Sequence, residues 1–232
     1  MIVAERKPID EIEKYLEKYK NITIAACGTC VTVCMAGGEK EAEELALLLA
    51  GSSKPEDTGR NITVVVPKRQ CDREFLDDIK EGLMKSDVVL SMGCGAGVQY
   101  MAEFLKGKPV FPALNTKFIG VARDLGLWTE MCQGCGQCIL EKTGAICPVT
   151  RCSKSNLNGP CGGSSNGKCE IDENIDCAWQ LIYDRLKEMD ALDRLYEITA
   201  PKDWRPARDG GPRKVTRIDM TVPKTEEKEE VF

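Results

Sequence analysis

Eight of the thirteen cysteines in this chain lie between residues 132 and 177, in a stretch rich in glycine and without hydrophobic periodicity. Such a segment cannot close a core from its own side chains, so metal must organise it. A disulfide framework is the competing explanation, and the sequence argues against it. The opening MIVAERKPIDEIEKYLEKYKN is charged and amphipathic, with no signal-peptide apolar core, and an odd number of cysteines pairs poorly. No apolar run approaches the roughly 18 residues that a membrane span requires. The expectation is a cytoplasmic protein, without a membrane span, whose cysteines bind metal.

The chain has no histidine at all. That removes the commonest general base, the usual haem ligand and mixed Cys/His zinc sites. A formal net charge of −5 disfavours an electrostatic nucleic-acid binder. With 232 residues, 42% of them hydrophobic, there is material for one ordinary domain and a smaller module.

Ile9, Ile12, Tyr15 and Leu16 recur at helical spacing, and Ile22–Ala26 is a short β-prone run ending at Cys27-Gly28. EKEAEELALLLA (39–50) predicts a helix, NITVVV (61–66) a buried strand stopped by Pro67, residues 74–85 a helix, DVVLSM (87–92) a strand and residues 97–105 a helix. Residues 109–111 predict one more short strand. Strands alternating with helices imply a parallel sheet covered on both faces, a Rossmann-like or flavodoxin-like α/β domain over residues 1–126. Residues 127–178 read as a small cysteine-rich metal-binding module. Residues 179–232 read as a C-terminal helix, from Ala178 to Glu188 and weakly on to Tyr196, followed by an extended, partner-binding tail that frays over TEEKEEVF.

The cysteines form three groups. Cys27-x2-Cys30-x3-Cys34 joins Cys71 and Cys94, since Cys27, Cys71 and Cys94 each follow a predicted strand. In an open parallel sheet those positions share the carboxyl edge, where ligands bind. A [4Fe–4S] cluster on Cys27, Cys30, Cys71 and Cys94 is expected, with Cys34 as alternate ligand and amides of Gly28, Gly93, Gly95 and Gly97 as donors to sulfide. The bland alternative is a CxxC redox pair or inert core thiols. Cys132-x2-Cys135-x2-Cys138, with Cys147-Pro148 downstream, has the consecutive spacing that wraps a cubane, and a second [4Fe–4S] cluster is expected there. Cys152, Cys161, Cys169 and Cys177 form the third site; their wide spacing leaves a cluster and an all-cysteine zinc ion equally open, and Cys147 and Cys152 are free to exchange.

Other motifs carry less. GCGAG (93–97) lacks the third glycine and the acidic partner of a dinucleotide turn. Arg60, Lys68 and Arg69 suit a solvated face better than an anion site. Trp128, Trp179 and Trp204 are expected to cover the cysteine-rich module. No nucleophile–base pair and no phosphate-binding loop is present, so no catalytic residue is assigned.

The string CQGCGQCILEKTGAICPVTRCSKSNLNGPCGGSSNGKCE, followed by Cys177-Ala178-Trp179, with CGTCVTVCMAGGEKE upstream and PKDW downstream, resembles the small subunit (MetV type) of bacterial methylenetetrahydrofolate reductase. The resemblance runs from about Cys27 to Trp204. It implies a non-catalytic iron–sulfur subunit, with or without zinc. That subunit would pass electrons to FMN on a large TIM-barrel subunit, which reduces 5,10-methylenetetrahydrofolate to 5-methyltetrahydrofolate in the Wood–Ljungdahl pathway. Electrons would come from ferredoxin, a nicotinamide-oxidising subunit or a bifurcating module. Two rivals stand beside this reading: a zinc-stapled structural or regulatory subunit of the same reductase, and a thioredoxin-like thiol enzyme using Cys27 and Cys30.

Overall fold

The computed structural model describes residues 1–51, 59–198 and 200–220. The C-terminal run TEEKEEVF, expected to fray, lies outside them. The chain divides into two compact units: Met1–Gln133 with Val149–Arg151, and Gly134–Pro148 with the chain from Cys152 onward.

In the first unit the elements run β1 (Ile2–Arg6), α1 (Ile9–Leu16), β2 (Asn21–Ala25), α2 (Cys30–Val33), α3 (Glu39–Gly51), β3 (Asn61–Val65), α4 (Glu74–Asp77), α5 (Lys80–Lys85), β4 (Val88–Ser91), α6 (Gly95–Phe104), β5 (Val110–Pro112), β6 (Leu114–Asp124) and β7 (Leu127–Cys132). Four of the strands form a parallel sheet in the order β3-β2-β4-β5. Numbered among themselves they run 2-1-3-4, the flavodoxin-type order rather than the Rossmann one, with the topological switch between β2 and β4.

Burial along the strands explains the order. β4 is buried at every residue and β2 at all but the first, as two-sided central strands must be, whereas β3 at the edge is half-exposed. Ile22 pairs with Val88 and Ile24 with Leu90. These side chains meet Ile12 and Leu16 of α1 and Ala42, Leu45 and Leu49 of α3. Residues of opposite parity, Ala25 and Val89, meet Leu76, Leu83, Met101 and Leu105 from α4, α5 and the end of α6. Each fully buried aliphatic side chain contributes about 1.5–3 kcal/mol to holding this arrangement. The helix expected over 74–85 is broken in two, because the Ile79 N–H bonds back only three residues, to the Leu76 carbonyl (3.3 Å), at φ −103°.

A second sheet was not anticipated. β1, β6 and β7 form an antiparallel sheet in the order β1-β6-β7. Gly120 allows it to close: a Cβ there would lie 2.1 Å from the Thr129 carbonyl oxygen across the hairpin. Trp128 of β7 packs against the first unit's core.

The second unit contains α7's first residue (α7, Pro148–Arg151), α8 (Ala178–Glu188) and 3₁₀ turns at Leu192–Tyr196, Arg208–Gly210 and Ile218–Met220. Its core is small. Trp179, Ile182 and Leu186 form one buried stripe of α8, flanked by Ile146, Cys152, Cys177, Ala191 and Leu192. The Trp179 indole N–H donates to the Asn156 carbonyl at 3.0 Å.

Candidate metal centres

The first group assembles at the carboxyl edge of the parallel sheet. Cys27 follows β2, and its N–H donates to the Gly37 carbonyl at 2.9 Å. Cys71 lies beyond β3, and Cys94 is the N-cap residue of α6 after β4. Cys27 and Cys94 therefore flank the switch point. Burial pushes the Cys71 thiol above its ordinary range, and the adjacent Cys94 and Cys27 thiols push it further. The influence of Cys94 and Cys27 on Cys71 marks three sulfurs in one neighbourhood. Cys27 is buried, Cys94 half-buried and Cys71 exposed.

Cys30 opens the four-residue α2 and is half-buried. Its electrostatic influence falls on Cys34. Cys34 is turned into the core: its Sγ accepts from the Ala4 N–H at 3.4 Å and donates toward the carbonyls of Ala4 (3.7 Å) and Val31 (3.6 Å). Burial pushes its thiol up, and hydrogen bonds from the backbone of Ala4, Cys34 and Ala36 partly offset the rise. The sulfur of the expected alternate ligand is thus engaged with β1 and α2.

The glycine amides differ from expectation. The Gly28 N–H donates to the Pro67 carbonyl (3.0 Å), Gly93 to the Ser91 hydroxyl (3.1 Å) and Gly95 to the Thr116 hydroxyl (2.8 Å). These loop amides satisfy one another's backbone and side chains instead of waiting for sulfide. Lys68 and Arg69 lie over the Phe75 ring, and Arg69 also pairs with Asp72 at 3.8 Å, as a solvated face would.

Gln70 was missed by sequence reasoning. It is fully buried; its Nε2 donates to the carbonyls of Ala25 (2.7 Å) and Ala26 (2.8 Å), and its Oε1 accepts from the Ser91 hydroxyl at 2.5 Å. Within the polar run RQCDR nothing marks it as buried.

In the second group, Cys132 ends β7 opposite Ile119, while Cys135, Cys138 and Cys147 belong to the second unit. The loop bearing Cys135 and Cys138 is braced from downstream. Lys202 donates to the Gln137 carbonyl (2.5 Å), the Asp203 N–H to the Gln137 Oε1 (3.0 Å), and Arg194 to the Glu141 carbonyl (2.8 Å). Cys138 lines an open cavity of about 1030 Å³ with Trp179, Tyr183 and Trp204.

The third group is drawn together by its sequence neighbours. Cys169 donates to the hydroxyl of Ser153, the residue after Cys152, at 3.5 Å. Cys161 faces Glu170, the residue after Cys169, at 3.6 Å, and Glu170 also pairs with Lys154. A bridge between Lys168 and Asp176 brings the chain before Cys177 alongside, and the Cys177 N–H donates to Gly167 at 2.8 Å. The Ser153 hydroxyl, which can turn to donate to the ionised sulfur, and the backbone amides of Ile171 and Asp172 hold the Cys169 thiol below its ordinary range.

No disulfide joins any of the thirteen cysteines. Among the described residues, no three Cys, Asp or Glu side chains are closed into a group that could hold a metal ion. A lone tetrahedral zinc needs sulfurs about 3.8 Å apart, given Zn–S bonds of about 2.3 Å. A cubane takes its thiolates at four separated iron corners. The donor chemistry of the first group, thiols only and delivered by separate loops, is of the kind a cubane takes.

Fold and site together define a cysteine-rich α/β protein with thiols gathered at the switch point of a parallel sheet. Residues 111–205 match the family model described as methylene-tetrahydrofolate reductase C terminal, so that segment is similar to the C-terminal part of this reductase. The match spans β5 to β7 and every cysteine from Cys132 to Cys177, and leaves the first group outside. No curated protein and no solved structure matches the chain. Among the described residues no helix is long and apolar enough to cross a membrane.

Proposed function

We propose that the chain is the iron–sulfur electron-transfer subunit of a methylenetetrahydrofolate reductase complex. It passes electrons to FMN on a large flavin-containing subunit that reduces 5,10-methylenetetrahydrofolate to 5-methyltetrahydrofolate in the Wood–Ljungdahl pathway. The observation that carries this reading is a reductase-family segment holding eight cysteines, joined to a separate set of thiols at a ligand-binding sheet edge.

Cys27, Cys30, Cys71 and Cys94 would hold one [4Fe–4S] cluster. On their spacing, Cys132, Cys135, Cys138 and Cys147 would hold a second, and Cys152, Cys161, Cys169 and Cys177 a third centre, either cluster or zinc. Clusters on such thiolates supply single-electron steps, which a partner flavin gathers for hydride chemistry. The chain's residues bind and orient. Cys27 is shielded in the core while Cys71 faces outward, so the group has one insulated side and one side from which an electron can enter or leave. No histidine is present to act as a general base, and the reading assigns proton and hydride chemistry to the partner. The donor is taken to be ferredoxin, a nicotinamide-oxidising subunit or a bifurcating module.

The test is reconstitution. The full chain, prepared without oxygen and pre-reduced, is mixed with the flavin subunit, and flavin bleaching is followed. Rapid bleaching that Cys71→Ala slows supports the role. A flavin subunit reduced equally well with the chain and without it overturns it, and leaves the zinc-stapled structural subunit as the reading.

A further inference from the structure

We propose that Gln70 is a positioning residue for the first thiolate group, one buried amide fixing the spacing of the three loops that deliver Cys27, Cys71 and Cys94. The inference rests on the reading that these cysteines hold a cluster. Gln70 is hydrogen-bonded, directly or through one hydroxyl, to the residue before each cysteine or is that residue. It donates to the carbonyl of Ala26, which precedes Cys27. It is itself the residue before Cys71. Through the Ser91 hydroxyl, which it receives at 2.5 Å and which in turn accepts from the Gly93 N–H at 3.1 Å, it reaches the residue before Cys94.

The glycines of the GCGAG run fit around this side chain. A Cβ on Gly93 would lie 2.5 Å from the Gln70 Oε1, and one on Gly97 would lie 3.0 Å from the Gln70 Cβ. Both positions are bare so that the first turn of α6 can close on the amide. Glutamine is also the side chain the site needs. Two carbonyls require two donors, the hydroxyl requires an acceptor, and a neutral amide adds no charge beside thiolates that already repel. Glutamate, ionised, would offer no donor and one more negative charge.

The test uses the full chain purified without oxygen. The electron paramagnetic resonance signal of the reduced protein that disappears in Cys94→Ala identifies the first centre. Gln70→Leu, Gln70→Glu, Gly93→Ala and the milder Ser91→Ala are then compared for that signal's shape, its midpoint potential and the rate of iron loss to a chelator. Thermal unfolding of each metal-free chain reports on the fold separately. The expected result is a changed signal, a shifted potential and about tenfold faster iron loss from that centre, with the remaining signals intact. Variants that unfold at lower temperature yet keep the signal and potential unchanged give Gln70 a merely structural role and overturn the inference; Ser91→Ala decides this if the Gln70 variants do not fold. A wild-type chain with no signal sensitive to Cys94→Ala overturns the underlying cluster reading, and the inference with it.

Discussion

At the level of single residues, burial divides thiols that are chemically identical. Cys34, 5% exposed and pushed up by desolvation, contrasts with the half-buried Cys169, held down by the Ser153 hydroxyl and backbone amides. Alkylation proceeds through the thiolate, so in the metal-free chain near neutral pH Cys169 is expected to label among the first and Cys34 last, read by peptide mass spectrometry. The reverse order would contradict the placement of both. Tyr15 gives a pH signature. Burial, helped by Glu11, pushes its phenol to about 12, and its hydroxyl donates to the Pro112 carbonyl at 2.6 Å. The folded state prefers the neutral phenol, so this contribution to stability is complete below the unfolded value of 10.0 and is lost as pH rises from there through about 12. Alkaline absorbance titration should show one of the five tyrosines ionising late, and Tyr15→Phe should remove that late component.

At the level of elements, two glycines of opposite character test the packing. A Cβ on Gly37 would lie 2.1 Å from the Met92 carbonyl oxygen and 2.9 Å from Leu114 Cδ1, so Gly37→Ala must move backbone; it should cost about 3 kcal/mol in urea unfolding and loosen Cys27, whose N–H bonds to Gly37. Gly82, inside α5, has nothing within 4 Å of its Cβ position, and Gly82→Ala should stabilise by about 0.5–1 kcal/mol. The same scale shows what the sequence could disclose. β2 and β4 are legible because two-sided burial makes them short runs rich in apolar and β-branched residues between turn residues. The antiparallel sheet is not. β1 is short and lies inside a charged opening, and β6 buries only Leu114 and Gly120 along eleven residues. Their pairing, Ile2 with Ile119, joins ends of the unit that no local pattern connects.

At the level of the whole molecule, the sites divide in the same way. That Cys27, Cys71 and Cys94 lie along one sheet edge was legible, since strand-end position alone sends them there. Gln70 was not, since its burial is imposed by Ala25, Ala26 and Ser91 from other strands. The second unit, with a core of little more than one stripe on α8, has the least apolar material to order it and the most cysteine. On the proposed reading, its fold should therefore depend on bound metal more than the first unit's does. The most direct measurement is the iron, acid-labile sulfide and zinc content of the full chain isolated without oxygen. The proposal predicts at least two clusters, about eight irons with matching sulfide per chain. A chain with zinc alone, or with its thiols freely titratable and no iron, would contradict it.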